Sequence, residues 1–132
     1  PRGDMITFVN LRDGSNNLCL AFPDYPDSVR QITFFEPGTQ VYVPRWSPDG
    51  ERIIFDYTTG SNRDIAIYHL ASGTIQPLLS AKWDERNPVF RGDSTIYYTD
   101  DRSGVFNIYK YDLSTQANGR VTNVLGGAFQ AE

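Results

Sequence analysis

The residue types that do chemistry most often are thinly spread in this chain: one histidine, one cysteine and an Asp-Asp-Arg run. His69 follows Tyr68 in an alternating stretch, so a catalytic triad or a metal site would have to recruit every partner from elsewhere. A strand residue with a solvated or hydrogen-bonded ring accounts for it more simply. No Gly-x-Ser-x-Gly elbow occurs, which removes a hydrolase nucleophile of that kind from these residues. No glycine-rich phosphate loop occurs either. Asp100-Asp101-Arg102 offers neighbouring carboxylates, the raw material of a calcium site. The spacing differs from an EF-hand and Arg102 competes for the carboxylates, so an Asp–Arg loop brace is expected. Cys19 has no partner for an intrachain disulfide and reads as a small buried hydrophobe. No catalytic residue, metal ligand or cofactor is assigned.

Binding chemistry is better represented. Trp83 stands in Ser80-Ala81-Lys82-Trp83-Asp84-Glu85-Arg86, an aromatic flanked by charges, suited to anchoring a partner or to capping the structure beneath it. Arg-Gly-Asp occurs at Arg2-Gly3-Asp4 and at Arg91-Gly92-Asp93. Both copies fall where a tight turn wants Gly and Asp, and turn geometry explains them. The formal net charge is −4, and the only lysines are Lys82 and Lys110. The cations form no stripe, which argues against a nucleic-acid surface and against an anionic-membrane patch.

The elements that must position these residues come from an internal repeat. Pro44 pairs with Pro88 and Trp46 with Phe90 at a spacing of 44, and Phe55 pairs with Tyr98 at 43. Asp64-Ile65-Ala66-Ile67-Tyr68 matches Asn107-Ile108-Tyr109-Lys110-Tyr111, again 43 apart. An earlier copy, Pro1 to Phe8, overlays Pro48 to Phe55 at an offset of 47. A period in the forties made of short strands is the mark of propeller blades. Eight Tyr, eight Phe, eleven Gly and eight Pro suit pleated, half-buried surfaces punctuated by turns. The nearest approach to a helix, Ile75 to Trp83, is short and interrupted by Pro77.

Each complete unit reads as four strands, A to D. The middle unit has A at Val41–Trp46, B at Arg52–Tyr57, C at Asp64–Leu70 and D near Thr74–Leu79. The next has A at Asn87–Arg91, B at Thr95–Thr99, C at Asn107–Leu113 and D near Arg120–Leu125. The first has B at Met5–Asn10, C at Asn17–Phe22 and D at Val29–Phe34, with no strand A. The expected organisation is a blade fragment over 1–40, complete blades over 41–84 and 85–126, and the start of another over 127–132. Three units fall short of the roughly 4–8 blades of a closed ring. The chain is therefore expected to be a piece of a larger protein, or a part that closes by assembly. Stability then comes from stacking neighbouring blades, with Trp46 and Phe90 assigned to the interfaces between them.

Trp46-Ser47-Pro48-Asp49-Gly50, followed by Ile53-Ile54-Phe55, resembles the hallmark of the TolB-like, or PD40, β-propeller repeat. Thr99-Asp100-Asp101-Arg102-Ser103-Gly104 leading to Asn107-Ile108-Tyr109 resembles that family's loop-and-strand segment. Gln31-Ile32-Thr33 and Arg120-Val121-Thr122 resemble its strand-D signature. Arg91-Gly92-Asp93 departs from the family's Ser-Pro-Asp-Gly turn, and Leu11 to Ser15 from its usual loop; both are turn changes that leave the fold intact. The resemblance implies an all-β fold of four-stranded antiparallel blades forming half of a six-bladed ring. It also implies a periplasmic or cell-envelope setting and binding of a protein or peptide partner, without membrane insertion by this segment. Similar propellers accompany peptidases of the prolyl oligopeptidase and tricorn types, so an accessory propeller with catalysis outside this segment is the alternative. A structural half-ring closing on a second copy is a third. In such a fold the B–C and D–A loops share one rim, so the expected binding residues are Tyr42, Arg63, Lys82, Trp83, Asp84, Arg86, Asp101 and Arg102.

Overall fold

Alternating apolar residues between tight turns give strands, and the computed structural model, which describes residues 3–131, contains twelve strands and no helix among them. Pro1 and Arg2, which open the earliest repeat copy and the first Arg-Gly-Asp, lie outside the described residues, as does Glu132. The first sheet is β1 (Ile6–Arg12), β2 (Ser15–Phe22) and β3 (Tyr25–Gln31). The second comprises β4 (Gln40–Val41), β5 (Arg45–Trp46), β6 (Arg52–Thr58), β7 (Asp64–His69) and β8 (Thr74–Leu79). The third is β9 (Arg86–Arg91), β10 (Thr95–Asp100), β11 (Asn107–Asp112) and β12 (Asn118–Arg120). Every pairing is antiparallel between sequence neighbours, except that β4 and β5 both pair with β6. The three sheets do not close into a ring.

The expected continuous strand A at Val41–Trp46 is broken into β4 and β5. Pro44 has no N–H to give the ladder, and Tyr42 bridges the gap by donating to the Asp56 carbonyl at 2.8 Å. The third sheet meets the same problem at Pro88 with a bulge: Asn87 adopts φ 52° and the register slips between Tyr97 and Thr99. Strand D also differs from expectation, ending at Gln31 and Arg120 rather than at Phe34 and Leu125. There a side chain replaces the ladder. Leu18 donates its N–H to the Thr33 hydroxyl at 2.8 Å, and Ile108 to the Thr122 hydroxyl at 2.9 Å.

Strand alternation splits the core between the two sheet–sheet interfaces. Val41, Ile53 and Phe55 face the first sheet, meeting Leu18 and Leu20, with half-buried Trp46 packed alongside. Ile54, Ile65 and Ile67 face the third sheet, meeting Phe90, Ile96, Tyr98 and Tyr109. Trp46 and Phe90 thus occupy equivalent places in successive interfaces. At the turn after Trp46, Gly50 takes φ 74°, and Asp49 accepts from the Glu51 N–H at 2.9 Å and from Arg52 at 2.8 Å. Arg52 also reaches the Asp93 carbonyl at 2.9 Å, tying the exposed Arg91-Gly92-Asp93 turn to the neighbouring sheet.

Candidate binding rim

Consecutive antiparallel strands send alternate connections to opposite ends of each sheet. The loops after β6, β8 and β10 therefore meet at one end. Side-chain and backbone hydrogen bonds join them there. Asn62 donates to the Lys82 carbonyl at 2.6 Å, and the Glu85 N–H to the Arg63 carbonyl at 3.0 Å. The Arg63 N–H donates to Asp84 at 3.1 Å, and the Asp84 N–H to the Asp101 carboxylate at 3.0 Å. Residues separated by about twenty positions become one surface.

Arginines on aromatic faces organise that surface. The Arg63 guanidinium lies 3.3 Å from the Tyr42 ring centroid and pairs with Asp56 at 3.0 Å. Arg86 pairs with Asp84 and lies 4.8 Å from the Phe106 centroid. Arg102 lies 4.3 Å from the Tyr109 centroid, binds Asp100 through Nε at 2.8 Å and donates to the Tyr98 hydroxyl at 2.9 Å. Asp100 is the Asp–Arg brace; Asp101 turns the other way to hold Asp84. Trp83 is half-buried, with the Lys82 ammonium 4.4 Å from its ring.

Burial dominates the titration behaviour here. Desolvation raises the Asp56 carboxyl above its ordinary range, the hydrogen bond and charge of Arg63 only partly opposing it. Burial also works against the Asp84 carboxylate, but hydrogen bonds from Arg86 and the Arg63 N–H hold it below the usual range. Burial pushes the Tyr98 phenol up to about 12. The Asp100 hydrogen bond raises Arg102 further into its charged form.

No family model matches the chain. The Tol-Pal system protein TolB of Francisella tularensis subsp. mediasiatica (strain FSC147) is 27% identical over 106 residues, covering 78% of this chain and 24% of the relative. The chain thus spans about a quarter of the length of the curated relatives it matches. A solved structure of putative TolB from Agrobacterium tumefaciens superposes with a TM-score of 0.82 at 22% identity, covering 98% of this chain and 46% of that one. TolB from Acinetobacter baumannii gives 0.74 at 22% identity, covering 91% and 30%. The chain is similar to TolB in sequence and shares its β-propeller blade fold. The AtxE2 isopeptidase contains a related arrangement, with a TM-score of 0.70 at 14% identity over 92% of this chain and 28% of that one.

In this TolB-like segment all eight expected rim residues lie at the same end. Tyr42 is joined through Arg63, and Lys82 lies over the Trp83 ring. Sequence reasoning missed two buried acids beneath them, Asp56 and Glu85; Asp100, expected in the loop brace, is buried as well. Asp56, a carboxylate inside the apolar run Ile53 to Tyr57, was a readable signal; Glu85, between Asp84 and Arg86, looked like one more solvated charge. His69 lies at the opposite end, half-buried and 2.8 Å from Gln76. Cys19 is buried, which raises its thiol. Among the described residues no group of three His, Cys, Asp or Glu is arranged to hold a metal ion.

Proposed function

We propose that this chain is a non-catalytic segment of a protein- or peptide-binding propeller of the cell envelope. Its partner is met through the rim of Tyr42, Arg63, Lys82, Trp83, Asp84, Arg86, Asp101 and Arg102. The observation that supports the reading is the likeness to TolB, in sequence over 78% of the chain to a relative named for the Tol-Pal system and in fold over 91% and 98% of it. The same likeness supports a periplasmic setting. Among the described residues no helix is long and apolar enough to cross a membrane.

Trp83 supplies apolar contact area that needs little ordering, and the flanking Lys82, Asp84 and Arg86 supply charges that orient a partner. The Tyr42–Arg63 stack adds a second aromatic–cation surface. The proposed partner class is a periplasmic lipoprotein of the peptidoglycan-associated type. Calorimetry with its soluble domain tests this. Trp83→Ala should weaken binding by about 1–2 kcal/mol, roughly five- to thirtyfold, with the melting curve unchanged. Asp49→Ala and Ser72→Ala, at the other end, should leave affinity alone. Loss of binding only from the Asp49–Ser72 side would defeat the reading.

The isopeptidase likeness favours a second reading, in which the segment shields or gates a peptidase domain elsewhere in its polypeptide. A parent gene encoding an α/β-hydrolase domain with a serine nucleophile selects that reading over the first.

A further inference from the structure

Glu85 lies at the base of the rim and is only 1% exposed. Its backbone N–H is held by the Arg63 carbonyl, and its carboxyl accepts the Ala81 N–H, yet Oε2 has no hydrogen-bond partner. The charged groups around it come from every element packed there. The β6 end and the loop after it bring Asp56 and Arg63, and the start of β7 brings Asp64. The β10 end and its loop bring Asp100, Asp101 and Arg102. Its own loop adds Lys82, Asp84 and Arg86.

The cations are already engaged. Arg63 holds Asp56, Arg86 holds Asp84, Arg102 holds Asp100, and Lys82 lies out over Trp83. An ionised Glu85 would be a buried charge without a committed counter-ion, which is costly. Burial, reinforced by the charges of Asp100 and Asp64 and only partly offset by Arg102, pushes its carboxyl up to about 7.

We propose that Glu85 is a proton-operated latch of the rim: neutral, it stays buried and holds the Lys82–Arg86 loop down, and ionised, it is repelled by Asp64 and Asp100 and releases that loop. Trp83 stands two residues before Glu85 and moves with it. As a statement about partner binding this rests on the function proposed above. As a statement about the loop it stands alone.

The sign follows from proton linkage. The latched state holds a proton that the released state gives up, so raising the pH disfavours the latch. The limit for one proton is roughly a tenfold change in the latched-to-released ratio per pH unit.

Amide hydrogen exchange of the whole chain, without any partner, from roughly pH 5 to pH 9 tests this, with rates corrected for intrinsic base catalysis. Protection of the Asp84 and Glu85 amides should fall as the pH rises toward about 7 and level off above it, while that of the central β6 and β7 amides holds. Glu85→Gln should keep the two amides protected across the range. Asp64→Asn, which removes one repelling carboxylate, should make the fall smaller and end it at a lower pH. Protection independent of pH in the native sequence, or an unchanged fall in Glu85→Gln, overturns the latch. If Glu85→Gln does not fold, Asp64→Asn decides: a smaller fall that ends at lower pH supports the latch and an unchanged one overturns it. With no partner in the tube, failure of the binding reading cannot imitate either result.

Discussion

The side-chain oxygen of Asn107 accepts the Thr122 hydroxyl at 3.0 Å, and that hydroxyl accepts the Ile108 N–H at 2.9 Å. The same oxygen takes the Val124 N–H at 3.0 Å, so one buried side chain stitches the start of β11 to the chain leaving β12. Asn17 and Thr33 repeat the arrangement in the first sheet, with the Leu18 and Phe35 N–H groups as the outer donors. In the second sheet the pair becomes Asp64 and Ser80, at 3.2 Å.

Asn107→Ala should therefore destabilise by about 1–3 kcal/mol, because it strands a half-buried hydroxyl and an N–H together. Asn107→Asp should cost less, since a carboxylate already serves at Asp64. Urea denaturation of the two variants checks the order; equal losses would mean that the hydrogen bonds do not set the cost.

Phe90→Ala should destabilise by roughly 3–5 kcal/mol, and Trp46→Ala by somewhat less, about 2–4, because Trp46 is half-buried while Phe90 is buried. Chemical denaturation of a parent protein containing the neighbouring blades is the measurement. An unmoved curve for both would refute their place between sheets.

Arg63→Ala leaves the buried Asp56 carboxylate without its counter-ion and should cost about 3–5 kcal/mol near neutral pH. The Asp56 carboxyl is already raised in the folded state, and loss of Arg63 raises it further. A raised carboxyl favours the folded state below its unfolded-state pKa and loses that benefit as pH rises through the folded-state value. The defect should thus shrink as the pH is lowered into the acid range, and melting curves at acid and neutral pH will show whether it does.

The chain alone should self-associate. Ile6, Leu11, Tyr25, Phe34, Val121 and Leu125 are exposed, and the sheets do not close. Exposed apolar residues and unpaired sheet edges are templates for association. Sedimentation should give a dimer or larger species; a monomer with a sharp cooperative melt at low concentration would count against it.

Much of the fold was legible in the residues. Turn chemistry is local: Ser47-Pro48-Asp49-Gly50 bends the chain wherever it stands, and Ile53-Ile54-Phe55 must present alternate faces. Thr33 and Thr122 were read inside strand D, and nothing local showed that their hydroxyls would replace the ladder after Gln31 and Arg120.

The sequence by itself determined three antiparallel sheets of a TolB-like propeller and the end at which Arg63, Trp83 and Arg102 would emerge, because strand alternation and turn order follow from neighbours along the chain. Tertiary structure alone decided which acids are buried. Asp100 and Asp101 are adjacent and chemically alike, yet one braces Arg102 in the interior and the other reaches Asp84. Glu85 lost its water only because loops from two sheets closed over it. Desolvation and charge pairing depend on what is brought near in space, and stacking the sheets sets those distances.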